Sequence, residues 1–293
     1  MMKRLFFTFL LILGIRVASA AEEPMPIRAC SFGKLSSEET TKFQWLKDRL
    51  GQLGVAADYI DRVFGDDRAG YYDDVIPQMT KPAEKTMTYE RYRNIFIKPE
   101  RLAEGRQFLI DHNAELQVAG TKYQVDKAAL AGLIGVETRF GQHRGRYRAV
   151  NALATIAMGL DRRKEWAAKE LATLLLLYKD HDVLDVMGSY AGAIGYPQFM
   201  PTSIKAYGVD GNGDNFVDLG NWEDAISSCA NYLKKHGWKN GVAIEPDSVT
   251  YKAIYRYNPS KFYVQIVGEM AEQFGYLPKN PQPFFIETTN KQP

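Results

Sequence analysis

The 293-residue chain holds only two cysteines, Cys30 and Cys229, and four histidines. One disulfide is the most it can form, and no Cys-x-x-Cys pair is available for redox or zinc chemistry. His112, His143, His181 and His236 form no metal-binding pair at helical spacing. A Gly-rich phosphate loop and the nucleophile elbow of serine hydrolases are both missing. An excess of one charge is missing too. The chain has 37 Lys and Arg against 35 Asp and Glu, a net charge of +2. That balance offers nucleic acid no electrostatic footprint. No apolar run reaches membrane length, and residues 171–178 read as the centre of an amphipathic helix. Alternating strand patterns are scarce, confined to 242–255 and 284–289. The tail 278–293 is proline-rich and reads as loose.

The first twenty residues carry an export pattern. Lys3 and Arg4 precede an uncharged apolar run over 5–15, and Ala18-Ser19-Ala20 supplies small residues for a signal peptidase. Export with cleavage before Ala21 is the expectation, which places the protein in a periplasm. A lipoprotein would need a cysteine just after the apolar run, and Cys30 follows Ile27-Arg28-Ala29 instead. In an oxidising compartment a Cys30–Cys229 bridge and two separate thiols both stay open.

What the chain does have is helical periodicity. Ser36 with Glu39 forms a capping-box pattern ahead of Phe43, Leu46, Leu50 and Leu53. Lys98-Pro99-Glu100 opens another helix, and Asp126 caps a segment running to Phe140. Residues 165–179 and 222–236 complete the long helical runs. The expectation is a mainly α chain (α+β at most), one unit over 21–293.

The chemical anomaly is Glu137. Leu130, Leu133, Ile134 and Phe140 stand at i−7, i−4, i−3 and i+3 from it, so the carboxyl shares an apolar helix face. Burial there raises a carboxyl pKa and suits a general acid. The ordinary alternative is an ion pair with Arg139, Arg144 or another arginine. A second window, Gly188-Ser-Tyr-Ala-Gly-Ala-Ile-Gly-Tyr-Pro-Gln-Phe-Met-Pro201, combines small residues, three aromatic rings and Gln198. It suits either sugar contact or a tight helix crossing.

Asp210-Gly-Asn-Gly-Asp-Asn-Phe-Val-Asp218 reads as an EF-hand-type loop. Asp210, Asn212, Asp214 and Asp218 stand at positions 1, 3, 5 and 9, and Phe216 offers its carbonyl at 7. Asn215 replaces the usual glycine at position 6, and Asn221 replaces glutamate at 12. An acidic turn that binds nothing is the alternative.

Taken in order, Gly-Val-Glu-Thr-Arg-Phe-Gly141, Asn151-Ala-Leu-Ala-Thr-Ile-Ala157, the second window and Ala230-Asn-Tyr-Leu-Lys-Lys-His-Gly-Trp238 resemble the membrane-bound lytic murein transglycosylase B family. The resemblance covers about residues 92–263. It implies a lysozyme-like helical catalytic domain with an EF-hand-like loop at 210–224 and a much reduced β subdomain, because only 17 residues (239–255) separate Trp238 from Arg256. It also implies cleavage of the β-1,4 bond between N-acetylmuramic acid and N-acetylglucosamine, with formation of a 1,6-anhydromuramoyl end. Glycan strands of peptidoglycan would be the partner, with other cell-wall enzymes beside them.

Residue by residue, the same resemblance makes Glu137 the acid and then the base. Ser189, placed to hydrogen-bond that carboxyl, and Gln198 become site-lining groups, and Tyr92 a cleft tyrosine. Arg162 and Arg163 become a pair for the lactyl or peptide carboxylate, and Tyr232, Tyr257, Asn258 and Tyr263 sugar contacts. For the loop it adds Asp224 to Asp210, Asn212, Asp214 and Phe216 as ligands of a structural calcium ion. No organic cofactor is expected. Neither window holds a second acid to assist Glu137, which fits a reaction whose nucleophile belongs to the substrate. A non-catalytic peptidoglycan-binding scaffold and a hydrolytic muramidase are the competing expectations.

Overall fold

The computed structural model describes residues 24–26, 32, 35–80 and 87–278. The export segment, Cys30 and the 284–289 strand pattern lie outside the described residues, as does the tail beyond 278. Among the described residues the chain forms helices α1 (Ser37–Gln52), α2 (Ala57–Phe64), α3 (Val75–Thr80), α4 (Tyr89–Phe96), α5 (Pro99–Asp111), α6 (Asn113–Tyr123) and α7 (Lys127–Thr138). Strand β1 (Tyr147–Arg148) leads into α8 (Ala149–Gly159) and α9 (Lys164–Leu177), and β2 (Met187–Gly188) follows. The chain continues through α10 (Pro201–Tyr207), α11 (Trp222–Lys235), α12 (Val249–Tyr257) and α13 (Lys261–Gln273). The fold is mainly helical, as expected, and its strands are one antiparallel pair, with Tyr147 opposite Gly188 and Arg148 opposite Met187.

The helix starts follow their caps. Ser36 and Glu39 close a reciprocal box at α1, with Ser36 N donating to Glu39 Oε2 at 2.9 Å and Glu39 N to Ser36 Oγ at 3.3 Å. Asp126 accepts from Ala128 N at 2.8 Å to open α7. That helix stops at Thr138, two residues short of the expected Phe140, because Arg139 (φ 51), Phe140 (φ 56) and Gly141 (φ 85) are all left-handed.

Helix α7 is the central element. Ala128 to Val136 are all buried, and fully burying one such leucine contributes roughly 1.5–3 kcal/mol. It lies against α13 so closely that a Cβ on Gly132 would meet the Val267 carbonyl oxygen at 2.9 Å. The glycine is the condition of that crossing. The result is that Glu137, near the last turn of α7, is held by a rigid support.

One local expectation is corrected. Residues 242–255 do not form strands: a turn leads to Ser248, which accepts from Tyr251 N at 3.0 Å and caps α12. Thr250, Ala253 and Ile254 are the buried residues there, a helical spacing that a period-two reading mistook. Hence the 239–255 segment contributes no β subdomain. Asn221, which stands where the loop pattern would have glutamate, is the N-cap of α11, accepting from Glu223 N at 2.8 Å and Asp224 N at 3.3 Å.

Candidate active site

Helices α7, α9, α11 and α12 and the 188–200 loop enclose a cleft of about 240 Å³, lined by Glu137, Ser189, Gln198, Tyr232, Tyr257 and Asn258, with Arg163 at the side. Seven of the residues expected in a site therefore meet in one place. Glu137 is partly exposed, through this cleft alone in effect, since its helix neighbours Leu133, Ile134 and Val136 are buried. Loss of water around the carboxyl raises its pKa to about 8, and a hydrogen bond from Tyr263 opposes the rise. Tyr263 Oη donates to Glu137 Oε1.

The ion-pair alternative is not what the structure contains. Arg139 donates twice to Glu104, at 2.8 and 2.6 Å, and Arg144 lies over the Tyr196 ring at 5.1 Å. With a tyrosine as its hydrogen-bond partner and no cation, Glu137 keeps its proton near neutral pH. Oε1 takes the Tyr263 bond, which leaves Oε2 to carry a transferable proton.

The remaining expected residues divide by what they touch. Ser189 is 2% exposed, and its Oγ accepts from Ala191 N at 3.3 Å and Ala193 N at 3.1 Å. It shares the cleft with Glu137 without the expected hydrogen bond to it; the turn's own amides hold the oxygen. Gln198 has a left-handed backbone (φ 50), and its amide donates to Gly195 O at 2.9 Å and Arg144 O at 3.1 Å. Its Oε1 is buried with no hydrogen-bond partner among the described residues.

Tyr232 donates to Arg256 O at 2.7 Å, and Tyr257 donates to Pro197 O. Their hydroxyls thus brace the walls, and both residues line the space. Tyr263 lies beneath the cleft, 1% exposed. Tyr92, 0% exposed, packs on Phe96 and Phe262 with ring centroids at 5.1 and 5.8 Å. Both tyrosines act behind the cleft surface. Arg163 stacks on Trp166 at 5.2 Å, while Arg162, on the exposed turn before α9, does not line the cleft.

Among the cleft residues that were not foreseen are Trp166, Glu170 and Arg256. Trp166 and Glu170 stand four apart on one face of α9, with Arg163 just ahead of its first residue, a signal present in the sequence but masked by the strongly apolar run around it. Cys229 lies fully buried under the same region, 3.9 Å from the Tyr257 hydroxyl. It is a free thiol, and burial pushes its pKa up.

The 210–224 loop folds around its own carboxylates. Asp210 Oδ1 accepts from Gly213 N at 2.6 Å and Oδ2 from Asn215 N at 2.8 Å. Asn215 is left-handed (φ 70), as its glycine-like position demands. Asp224, 0% exposed, accepts from Gly211 N at 2.8 Å and Asp218 N at 2.7 Å. Burial and the nearby charge of Asp210 both raise the Asp224 pKa. Asn212 donates its amide to Asp214 Oδ2 at 3.0 Å. No three acidic, His or Cys side chains converge among the described residues. Even so, the all-oxygen donors and the clustered carboxylates suit a hard cation. The loop is tied to the cleft wall. Tyr196 N donates to Leu219 O at 2.9 Å, and the Tyr196 and Trp222 rings stack at 3.5 Å.

Comparison with known proteins identifies what the chain is similar to. The family described as the transglycosylase SLT domain matches residues 38–249. Membrane-bound lytic murein transglycosylase B of Escherichia coli (strain K12) is 43% identical over 162 residues, covering 55% of this chain and 45% of that protein, so the match spans about half the length of this relative. The Escherichia coli lytic transglycosylase Slt35, solved in complex with calcium, superposes with a TM-score of 0.70 at 28% identity, covering 82% of this chain and 93% of that one. SltB3 from Pseudomonas aeruginosa, solved in complex with NAG-NAM-pentapeptide, gives 0.72 at 26% identity, covering 80% and 79%. No helix among the described residues is long and apolar enough to cross a membrane. By the family match over most of its length, the chain belongs to the transglycosylase SLT domain family.

Proposed function

We propose that the cleft cleaves the β-1,4 bond between N-acetylmuramic acid and N-acetylglucosamine in peptidoglycan, as a lytic murein transglycosylase with Glu137 as its single acid and base. The observation that carries this reading is a carboxyl that opens on the cleft, is hydrogen-bonded by Tyr263 and has no cation beside it, where loss of water favours its protonated form. Protonated Glu137 gives its proton to the glycosidic oxygen as the bond to C1 breaks. Ionised, it takes the proton of the sugar's C6 hydroxyl as that oxygen bonds to C1 and closes the 1,6-anhydro ring. The proton lost from O6 thus replaces the one delivered to the leaving sugar. Tyr263 Oη donates throughout, and its bond favours the ionised carboxylate between the two transfers.

A hydrolytic muramidase would need a second carboxylate free to activate water. Glu170 lines the same cleft, but both of its oxygens accept from Thr202, at 2.9 and 2.8 Å. That occupation favours the transglycosylase. Arg163, stacked on Trp166, is suited to a substrate carboxylate, and the rings of Tyr232 and Tyr257 to sugar faces. The basic pair, apolar run and small residues within 1–20 support export to the periplasm, where such a substrate would lie. Asp210, Asn212, Asp214, Asp224 and the Phe216 carbonyl would hold a calcium ion, which would neutralise the paired carboxylates and stiffen the loop. Slt35 bound calcium in its crystal, and the oxygen donors here support the same use. The test is digestion of purified sacculi: muropeptides with anhydro ends are expected from the wild type and none from Glu137→Gln.

A further inference from the structure

Glu170 is a buried acid to which the chemistry above gives no step. It is 4% exposed on α9, among Ala167, Ala168, Leu171 and Leu174, each at 0%. Desolvation raises its pKa, and both compensating hydrogen bonds come from one residue: Thr202 N donates to Oε2 at 2.9 Å and Thr202 Oγ1 to Oε1 at 2.8 Å. A buried carboxylate is costly unless such donors meet it.

The need for this bond lies in α10. Its N-cap is Met200, which has no side-chain acceptor, and Pro201 follows with no N–H. Thr202 N is the first donor of the helix left without a local partner, and Glu170 reaches from α9 to take it.

Just upstream stands the cleft wall. Ile194 and Phe199 exchange backbone hydrogen bonds at 2.8 and 3.1 Å around Gln198 in its left-handed conformation. Such a backbone is strained for a residue other than glycine, and it persists only where the surroundings over-determine it. At one end the surroundings are Leu219, whose carbonyl oxygen would lie 2.4 Å from a Cβ on Gly195 (φ 70). At the other end they are the Glu170–Thr202 pair.

We propose that Glu170 is a positioning residue for cleavage: by clamping Thr202 it fixes the 194–202 wall and holds Gln198 in the cleft beside Glu137. This rests on reading the cleft as the cleavage site.

The test is a double-mutant cycle with kcat and KM measured on one purified glycan substrate, folding being followed by near-UV circular dichroism. Glu170→Ala and Thr202→Val are each expected to lower kcat by about tenfold or more with KM shifted far less, because misplacement of site groups acts on the transition state. Thr202→Ser, which keeps both donors, should restore the rate. Glu170→Ala combined with Gln198→Ala should lose little more than either change alone, as expected of residues acting through one wall. Undiminished kcat in folded Glu170→Ala or Thr202→Val, or losses that simply multiply, would overturn the proposal. If Glu170→Ala does not fold, the Thr202 variants and their own cycle with Gln198→Ala decide it. A wild type that leaves no anhydro ends, or a fully active Glu137→Gln, would instead refute the reading of the cleft.

Discussion

Tyr263 donates its hydroxyl to Glu137 Oε1 across 126 positions of sequence, joining α13 to α7 at the floor of the cleft. The bond holds the carboxylate against a desolvation that favours the acid. Removing it in Tyr263→Phe should therefore raise the Glu137 pKa above about 8. The alkaline limb of kcat/KM should move to higher pH, and kcat should fall about tenfold through weakened support of the ionised form. A pH–rate profile checks this; a limb displaced to lower pH contradicts it.

The same carboxyl links stability to pH. Its pKa is about 8 in the fold against an ordinary value of 4.5, so between those limits the folded state holds a proton that the unfolded state has released. Stability then falls as pH rises across that window. Glu137→Gln lacks this loss. The variant should match the wild type near pH 4 and exceed it by about 1–3 kcal/mol near pH 9, as measured by urea denaturation at both values.

Calcium should act on the 210–224 loop. Saturating calcium is expected to raise the melting temperature by several degrees, as binding worth about 2–3 kcal/mol to the folded state would. Asp210→Ala should abolish the shift, because it removes a proposed ligand whose charge acts on the buried Asp224. Differential scanning fluorimetry with and without a chelator measures it.

Arg163 should matter for substrates that carry a carboxylate. Arg163→Ala removes the cation stacked on Trp166 and should raise KM about tenfold on peptide-bearing glycan. Peptide-free glycan should be affected far less. Parallel kinetics on the two substrates separate the effects.

Much of the scaffold was legible in the sequence because its signals are local. Ser36 with Glu39 and Asp126 each cap the helix that their spacing announced, and the apolar neighbours of Glu137 marked its burial. What failed depended on distance or on competing periods. Residues 242–255 read as alternating, yet Ser248 supplies a cap and the buried positions follow a helical spacing. No spacing rule could show that Tyr263 would meet Glu137, or that Glu170 would find Thr202 on the helix after the cleft wall. The family resemblance named Tyr263 as a sugar contact; the fold buries it beneath the carboxyl instead.

The most direct measurement is mass spectrometry of muropeptides released from purified sacculi by the wild type and by Glu137→Gln. The wild type should yield 1,6-anhydromuramoyl ends, each product lighter by one water than its hydrolytic counterpart. Glu137→Gln should bind the glycan and release nothing. Reducing ends from the wild type, or anhydro products from Glu137→Gln at the wild-type rate, would contradict a single carboxyl acting as acid and then as base.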